Sequence, residues 1–249
     1  MRDTRRFALV LAAFPLALAG CGSGAGDDAA TMESEPVAAI AAPQGGAWAQ
    51  QVTRTQEGGW LVGNPDAPIK LVEYGSLTCP ACANFSVQGA EQLSEDYIAS
   101  GRVSYELRSV LIHGVADLLL TRMLECAPQA TAVPLAHQVW SDLDQVIGTF
   151  QAAQPQLEQA MSLPEDQRFV AMGQAGGLID YFAARGISTD QARQCLSDSA
   201  AIQQLAERTQ TSAAENEVTG TPTFFLNGNR IDQTSWPEVE AALQRAGAR

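Results

Sequence analysis

The chain contains the run Glu73-Tyr74-Gly75-Ser76-Leu77-Thr78-Cys79-Pro80-Ala81-Cys82, which joins a predicted strand to a predicted helix. Ile69 to Tyr74 is apolar and β-branched and stops at Gly75, a pattern typical of a buried strand. Pro80 suits the first turn of a helix, because its missing N–H needs no partner there. Cys79 is therefore expected at a helix N-terminus, where the helix dipole and free N–H groups favour thiolate over thiol. A Cys-x-x-Cys pair in this position indicates redox chemistry.

Other uses of the two cysteines compete with this interpretation. A closed zinc site needs four ligands, but the sequence has no second Cys-x-x-Cys, and neither His113 nor His137 has ligand-like spacing with the pair. Covalent haem is excluded, because Ala83 stands where Cys-x-x-Cys-His requires histidine. A purely structural disulfide between Cys79 and Cys82 stays open on these residues alone. No metal site is expected.

Outward from this run, strand and helix patterns alternate. A second strand is predicted at Arg102 to Ile112, and apolar residues then recur at helical spacing from about 113 to 217, which predicts a block of helices. Thr223 to Asn227 is a predicted strand that leads into a hairpin turn at Asn227-Gly228-Asn229, and Ser235 opens a capping box before a final helix. The predicted order is β, α, β, a helical insertion, β, β, α.

The composition of the 249 residues is that of a folded chain. Hydrophobic residues make up 46% and charged residues 17%, unlike the low-apolar, high-charge profile of a disordered protein. The net charge of -13 lacks the basic footprint of a nucleic-acid binder, so that class is excluded. Only one apolar run approaches membrane length, and it lies at the N-terminus, which excludes a membrane protein with several spans.

The N-terminal segment is predicted to be an export signal. Three arginines precede the apolar stretch Phe7 to Ala19, which is too short to span a bilayer, so residues 1–20 are interpreted as a signal peptide. Leu18-Ala19-Gly20-Cys21 resembles a bacterial lipobox, which predicts lipid attachment at Cys21; cleavage nearby by a general signal peptidase is the alternative. Residues 21–58 show no lasting period and are expected to form a flexible tether.

From about residue 59 to residue 249 the chain resembles the thioredoxin-fold thiol-disulfide oxidoreductases of the DsbA type. The resemblance is carried by Asn64-Pro65-Asp66-Ala67-Pro68, by the run from Glu73 to Cys82, and by Gly220-Thr221-Pro222-Thr223-Phe224-Phe225. It implies an α/β thioredoxin fold with a helical insertion, at about 113–217, between an N-terminal βαβ part and a C-terminal ββα part.

The resemblance also implies roles for the redox residues. Cys79 is expected to be the more exposed, attacking thiolate, and Cys82 the resolving thiol inside the helix. Glu73 matches the family's buried carboxylate below the disulfide, where desolvation would raise its pKa and let it relay the proton of Cys82. A solvated charge at a strand edge is the alternative for Glu73.

Four further residues are expected to bind substrate. Thr221-Pro222 resembles the family's cis-proline loop, which presents backbone to an extended substrate beside Pro80 and Ala81; a trans turn proline is the alternative. Strong oxidases of this family carry histidine where this chain has Ala81, so an intermediate reduction potential is expected. Thr221 resembles the isomerases and reductases rather than the strong oxidases.

Cys126 and Cys195 lie on apolar helical faces of the predicted block. Two buried free thiols are possible, but a structural disulfide is favoured in an oxidising compartment, and some relatives have one in this insertion. His113 and His137 are interpreted as structural or surface residues, and Trp140 as part of the core.

The predicted function is exchange of disulfides with cysteine-containing exported proteins, without a cofactor, by a lipid-anchored periplasmic monomer. A membrane redox partner that reoxidises or reduces the protein is implied only by the resemblance. Oxidase and reductase or isomerase directions both stay open. The alternative from another class is a thioredoxin-fold chaperone or adaptor whose disulfide is structural.

Overall fold

The computed structural model describes residues 34–249, and Cys21 and the predicted signal lie outside this range. Six strands form one sheet in the order β1-β2-β4-β3-β5-β6. Only β3 and β4 run parallel, because a helix crosses between them, and the other neighbours are antiparallel. The strands are β1 Val52–Arg54, β2 Trp60–Gly63, β3 Ile69–Gly75, β4 Val103–Ser109, β5 Thr223–Leu226 and β6 Asn229–Ile231.

Ten α-helices surround the sheet within the described range. They are α1 Pro80–Gln92, α2 Val115–Cys126, α3 Ala132–Ser141, α4 Leu143–Ala152, α5 Gln154–Ala160, α6 Glu165–Ala175, α7 Leu178–Ala183, α8 Thr189–Ser197, α9 Ser199–Glu215 and α10 Trp236–Arg245. Helices α2 to α9 form the insertion between β4 and β5. The predicted α/β fold is confirmed, and the predicted element order holds from β3 onward, whereas β1 and β2 precede it without having been predicted. No helix among residues 34–249 combines the length and the apolar character needed to cross a bilayer.

Strand β3 is the centre of the sheet and leads directly into the cysteine run. Ile69, Leu71 and Glu73 are buried on one face of the strand, and they pair in register with Val103, Tyr105 and Leu107 of β4. Because successive side chains point to opposite faces, Glu73 and Tyr105 share one face of the sheet. This register places a carboxyl group under the active-site helix.

The hairpin between β5 and β6 forms where the sequence predicts it. Asn227 and Gly228 both have positive φ, 51° and 80°, which a two-residue hairpin turn of the primed type requires. The Asn227 side-chain oxygen also accepts a hydrogen bond of 2.8 Å from the Lys70 N–H of β3. The turn is therefore tied to the central strand as well as to its own hairpin.

The expected tether is not borne out for residues 34–58, which pack on the domain. The Ser34 N–H donates to the Arg245 carbonyl, and the Val37 N–H donates to the Gly247 carbonyl. Trp48 is buried and donates its indole N–H to the Ile40 carbonyl at 2.8 Å. Short β1 then pairs with β2, and the sequence predicts neither of these two strands. Segments of three or four residues carry too little periodicity to detect, and their order comes from pairing with distant backbone.

A disulfide joins Cys126, at the end of α2, to Cys195 in α8, with their Cα atoms 6.2 Å apart. Its partners are 69 residues apart, and closing a loop of this length stabilises a fold by roughly 4 kcal/mol in the chain-entropy model. Arg122 and Cys195 add a hydrogen bond between the same two helices, from the guanidinium to the Cys195 carbonyl. The bridge thus holds the two sides of the insertion together.

Candidate active site

Cys79 lies at the junction of the β3 loop and α1. It is the N-cap of the helix with extended backbone (φ -87°, ψ 120°), Pro80 occupies the first turn, and the Cys79 carbonyl accepts the Ala83 N–H at 3.0 Å. Cys79 and Cys82 are free thiols in this structure, with exposed fractions of 5% and 0%. The sequence thus places the outer sulfur at the helix start and the inner sulfur one turn inside.

The surroundings of the two sulfurs drive their pKa values apart. The pKa of Cys79 is lowered most by a hydrogen bond from the Cys82 thiol. Hydrogen bonds from the Thr221 side chain and from the backbone N–H groups of Cys82 and Ala81 lower it further. Together they outweigh desolvation, which acts in the opposite direction, and the pKa of Cys79 falls to about 5. Burial raises the pKa of Cys82 far above its ordinary value, and the hydrogen bond to Cys79 and the Glu73 charge add to this rise. At neutral pH, Cys79 is the thiolate and Cys82 the thiol.

Glu73 is completely buried below the cysteine pair. Its Oε2 accepts a hydrogen bond of 2.7 Å from the Tyr105 hydroxyl, whereas its Oε1 has no hydrogen-bond partner among residues 34–249. Burial raises the pKa of Glu73 to about 8, and the Tyr105 hydrogen bond limits this rise. The alternative of a solvated charge at a strand edge is therefore wrong, because no part of Glu73 reaches solvent.

The loop before β5 lies against Cys79. The Thr221-Pro222 peptide bond is cis, and the Thr221 carbonyl oxygen lies 3.2 Å from the Cys79 sulfur, where it accepts the S–H when Cys79 is protonated. Pairing of Thr223 with Tyr74 of β3 sets this approach. The Thr221 hydroxyl is buried and is not used by any other group within the described residues. It can therefore donate to the Cys79 thiolate, which is how the Thr221 side chain lowers the pKa of Cys79.

A polar network on the other side of Cys79 was missed by sequence reasoning. Asp117 is fully buried, and its carboxylate accepts three hydrogen bonds. The donors are the Ser76 hydroxyl at 2.8 Å, the backbone N–H of Thr78 at 3.2 Å and the backbone N–H of His113 at 2.8 Å. The Thr78 hydroxyl lies 2.6 Å from His113 Nδ1. A buried carboxylate needs such partners, and here it holds the loop that presents Cys79. Its only sequence signal is an acidic residue in the first turn of α2.

Pro80 and Ala81 are exposed next to Cys79, and Ala81 brings no charge to the site. Trp140 is a core residue, as predicted, and its indole N–H donates to the Ser76 carbonyl at 2.9 Å. Burial lowers the pKa of His137 to about 4, which keeps this histidine neutral. Within residues 34–249, no group of His, Cys, Asp and Glu is arranged to hold a metal ion.

The sheet, the inserted helices and a Cys-x-x-Cys pair at a helix start define a thioredoxin-fold protein of the DsbA type. A family model described as thioredoxin matches residues 55–245, and the chain belongs to that family. The resemblance predicted from the motifs is thereby confirmed.

The chain is similar to several proteins of known sequence or structure. A presumed protein-disulfide oxidoreductase of Rickettsia bellii is 25% identical over 78% of this chain and 66% of its own length. The crystal structure of a protein-disulfide isomerase from Novosphingobium aromaticivorans is 27% identical, with a TM-score of 0.67 over 75% of this chain and 97% of the other. Wolbachia pipientis alpha-DsbA1, at 19% identity and a TM-score of 0.58 over 75% of this chain and 89% of its own, shares the fold. The chain spans about three fifths to two thirds of the length of the Rickettsia relatives.

Proposed function

We propose that the protein exchanges disulfides with cysteines of other proteins through Cys79 and Cys82. The observation that carries this proposal is the geometry of two free sulfurs one helical turn apart at the start of α1, with a completely buried carboxyl group below them. Burial and hydrogen bonds in this arrangement drive the pKa values of the two sulfurs in opposite directions. A purely structural disulfide needs neither a stabilised thiolate nor a buried acid beneath it.

In the reducing direction, the Cys79 thiolate attacks one sulfur of a substrate disulfide. The substrate S–S bond breaks, its other sulfur leaves as a thiolate, and a mixed disulfide to Cys79 forms. Cys82 then loses its proton to Glu73 and attacks the Cys79 sulfur, which releases the second substrate thiolate. Two electrons have passed from the protein to the substrate, and a Cys79–Cys82 disulfide remains.

In the oxidising direction the same steps run backwards. A substrate thiolate attacks Cys79 of the disulfide, and Cys82 leaves as a thiolate that takes a proton from Glu73. A second substrate thiolate then releases Cys79, whose thiolate is stabilised by the helix start and its hydrogen bonds. Renewal of either form requires an external dithiol or disulfide partner, and the family resemblance supports a partner in the membrane.

The Cys79 pKa supports an intermediate reduction potential. A stabilised thiolate favours the reduced form and so raises the potential, and the pKa of about 5 lies between roughly 7 for thioredoxin and roughly 3.5 for the strong oxidant DsbA. The corresponding potentials are about -270 and about -120 mV. We therefore expect a reduction potential between these two values, although this chain has Ala81 where the strong oxidases have histidine.

Two assays test the function. The wild-type protein should reduce insulin disulfides and oxidise a reduced, unfolded ribonuclease faster than Cys79→Ser. Activity equal to that of Cys79→Ser in both assays would leave only a binding module with a structural disulfide. Equilibration with glutathione then gives the potential and orders the oxidase and reductase directions.

Export and lipid anchoring at Cys21 belong to the same proposal. Their support is the sequence of the leader, since Cys21 lies outside the described residues. Expression in a bacterium fed labelled fatty acid should label the wild-type chain and leave Cys21→Ser unlabelled. Equal labelling of the two proteins would reject the anchor without affecting the redox proposal.

A further inference from the structure

Two open clefts adjoin the exposed edge of the active site. The α1 cleft, of about 480 Å³, lies between α1 and the junction of α3 with α4, and Asn84, Val87 and Ser141 are among its lining residues. The α4 cleft, of about 430 Å³, lies between His113 and helix α4. Pro80, which directly follows Cys79, borders both clefts. Both clefts therefore lie within reach of a chain that is joined to Cys79.

Apolar side chains form much of the α4 cleft. They are Val115, Ala116, Leu143, Ile147, Phe150 and Leu157. Two large apolar side chains are also solvent-exposed close to the active site: Val87 on α1, 66% exposed, and Ile112 beside His113, 42% exposed. This surface can bury an apolar side chain of a partner without rearrangement of the fold.

On the opposite flank of α1, helix α10 packs against the middle of the helix. Trp236 of α10 is buried against Gly89, so closely that a β-carbon on this glycine would lie 2.3 Å from the indole ring. Trp236 also stacks edge-on against Phe85, with ring centroids 5.9 Å apart. Trp236 therefore covers this flank of α1 around Phe85 and Gly89, whereas the two clefts that border Pro80 lie on the side of the helical insertion.

The charge of this region is negative. Asp144 borders both clefts, Asp142 borders the α1 cleft, and the residues lining the two clefts include no lysine or arginine. Asp142 already binds Arg185 at 2.7 Å and the Tyr181 hydroxyl at 2.9 Å. Asp144 is exposed and makes no side-chain hydrogen bond or ion pair with any of residues 34–249. It is the carboxylate left for a partner.

We propose that the two clefts select substrates that carry a lysine or arginine beside the reacting cysteine, bound by Asp144, and an apolar side chain seated in the α4 cleft. The occupant is an extended cysteine-containing segment of another protein. This inference rests on the proposed disulfide exchange, because the segment is held at the clefts while its sulfur reacts with Cys79.

The test uses the reduced full-length protein and three peptides that differ only in the residue beside their single cysteine, which is lysine, alanine or glutamate. Each cysteine is activated as a mixed disulfide with thionitrobenzoate, whose release reports attack by Cys79. The expected order of second-order rate constants is lysine, then alanine, then glutamate. An ion pair at an exposed rim contributes about a two- to five-fold step.

Asp144→Asn should reduce the lysine-to-glutamate ratio by about that factor, and Asp144→Lys should reverse the order. Asp190→Asn is the matched control, because Asp190 is also an exposed acid in the first turn of its helix and lines neither cleft. An unchanged ratio in both Asp144 variants, or an equal fall in Asp190→Asn, would overturn the inference.

The apolar part is tested with a leucine and a serine peptide. Val115→Thr adds a hydroxyl to the α4 cleft with almost no change in shape, and it should lower the preference for leucine while leaving the lysine preference intact. If Val115→Thr keeps the full preference for leucine, the α4 cleft is not an apolar subsite for the substrate. Failure of the proposed function looks different: the wild-type protein would then release no more thionitrobenzoate than Cys79→Ser from any peptide.

Discussion

Replacing Glu73 by glutamine should slow the second half of the exchange reaction and leave the first half intact. Glutamine keeps the volume of the buried side chain, and its amide oxygen can still accept from Tyr105, whose hydroxyl lies 2.7 Å from Glu73 Oε2. What it cannot do is take a proton from Cys82. The Cys79 thiolate, stabilised by other groups, stays available for the first attack.

The magnitude follows from the Glu73 pKa of about 8. At pH 7 about one tenth of Glu73 is ionised, and at pH 8 about half is. A positioned general base contributes roughly 10²- to 10⁴-fold. Multiplying the lower figure, about 10²-fold, by the ionised fraction gives the expected fall in the rate of the second half-reaction. In Glu73→Gln this fall is about tenfold at pH 7 and about fiftyfold at pH 8.

A stopped-flow reaction with the disulfide dithiobis(nitrobenzoate) separates the two halves of the exchange reaction. Attack by Cys79 releases the first thionitrobenzoate, and attack by Cys82 on the resulting mixed disulfide releases the second. The wild-type second phase should accelerate as pH rises through about 8, because Glu73 loses its proton there and becomes able to accept the proton of Cys82. The exposed Glu91→Gln on α1 provides the same chemical change away from the cysteines.

The reasoning fails if Glu73→Gln keeps the wild-type rate and pH profile in the second phase. It also fails if the first phase slows as much as the second, because the effect would then be a general loss of structure. Near-ultraviolet circular dichroism of the variant gives an independent check on the packing around Tyr105.

Three other outcomes are expected. Alkylation of Cys79 should titrate with a midpoint near pH 5 while Cys82 stays unreactive at neutral pH, and equal modification of both thiols at pH 7 would reverse the assignment. Ala81→His should raise the reduction potential by about 30 to 60 mV, the equivalent of one charge-assisted hydrogen bond to the Cys79 thiolate, and an unmoved glutathione equilibrium would contradict this. Tyr105→Phe removes the hydrogen bond that lowers the Glu73 pKa, so the second-phase midpoint should move to higher pH; a fixed or lower midpoint would show that Tyr105 does not stabilise the carboxylate.

The sequence by itself determined features that depend on a few adjacent residues. Pro80 in the first turn sets the start of α1 and therefore the place of Cys79. Asn227 and Gly228 tolerate the positive φ that the hairpin needs. Ser235 and Glu238 form their capping interaction within one helical turn, with the Glu238 carboxylate accepting the Ser235 hydroxyl at 2.6 Å. Such contacts are readable because both partners lie within a few residues of each other.

Only the tertiary structure decided what joins distant segments. The hydrogen bond between Tyr105 and Glu73 depends on the register of β3 against β4. The hydrogen bond between Thr78 and His113 depends on the path of the chain after β4. The packing of residues 34–58 likewise needs the C-terminal backbone and β2 as partners. Periodicity identifies a buried face but not the residue opposite it, because pairing energies between strands are small and register is set by the whole sheet. The proton path below Cys82 and the clefts beside Pro80 are consequences of that assembly.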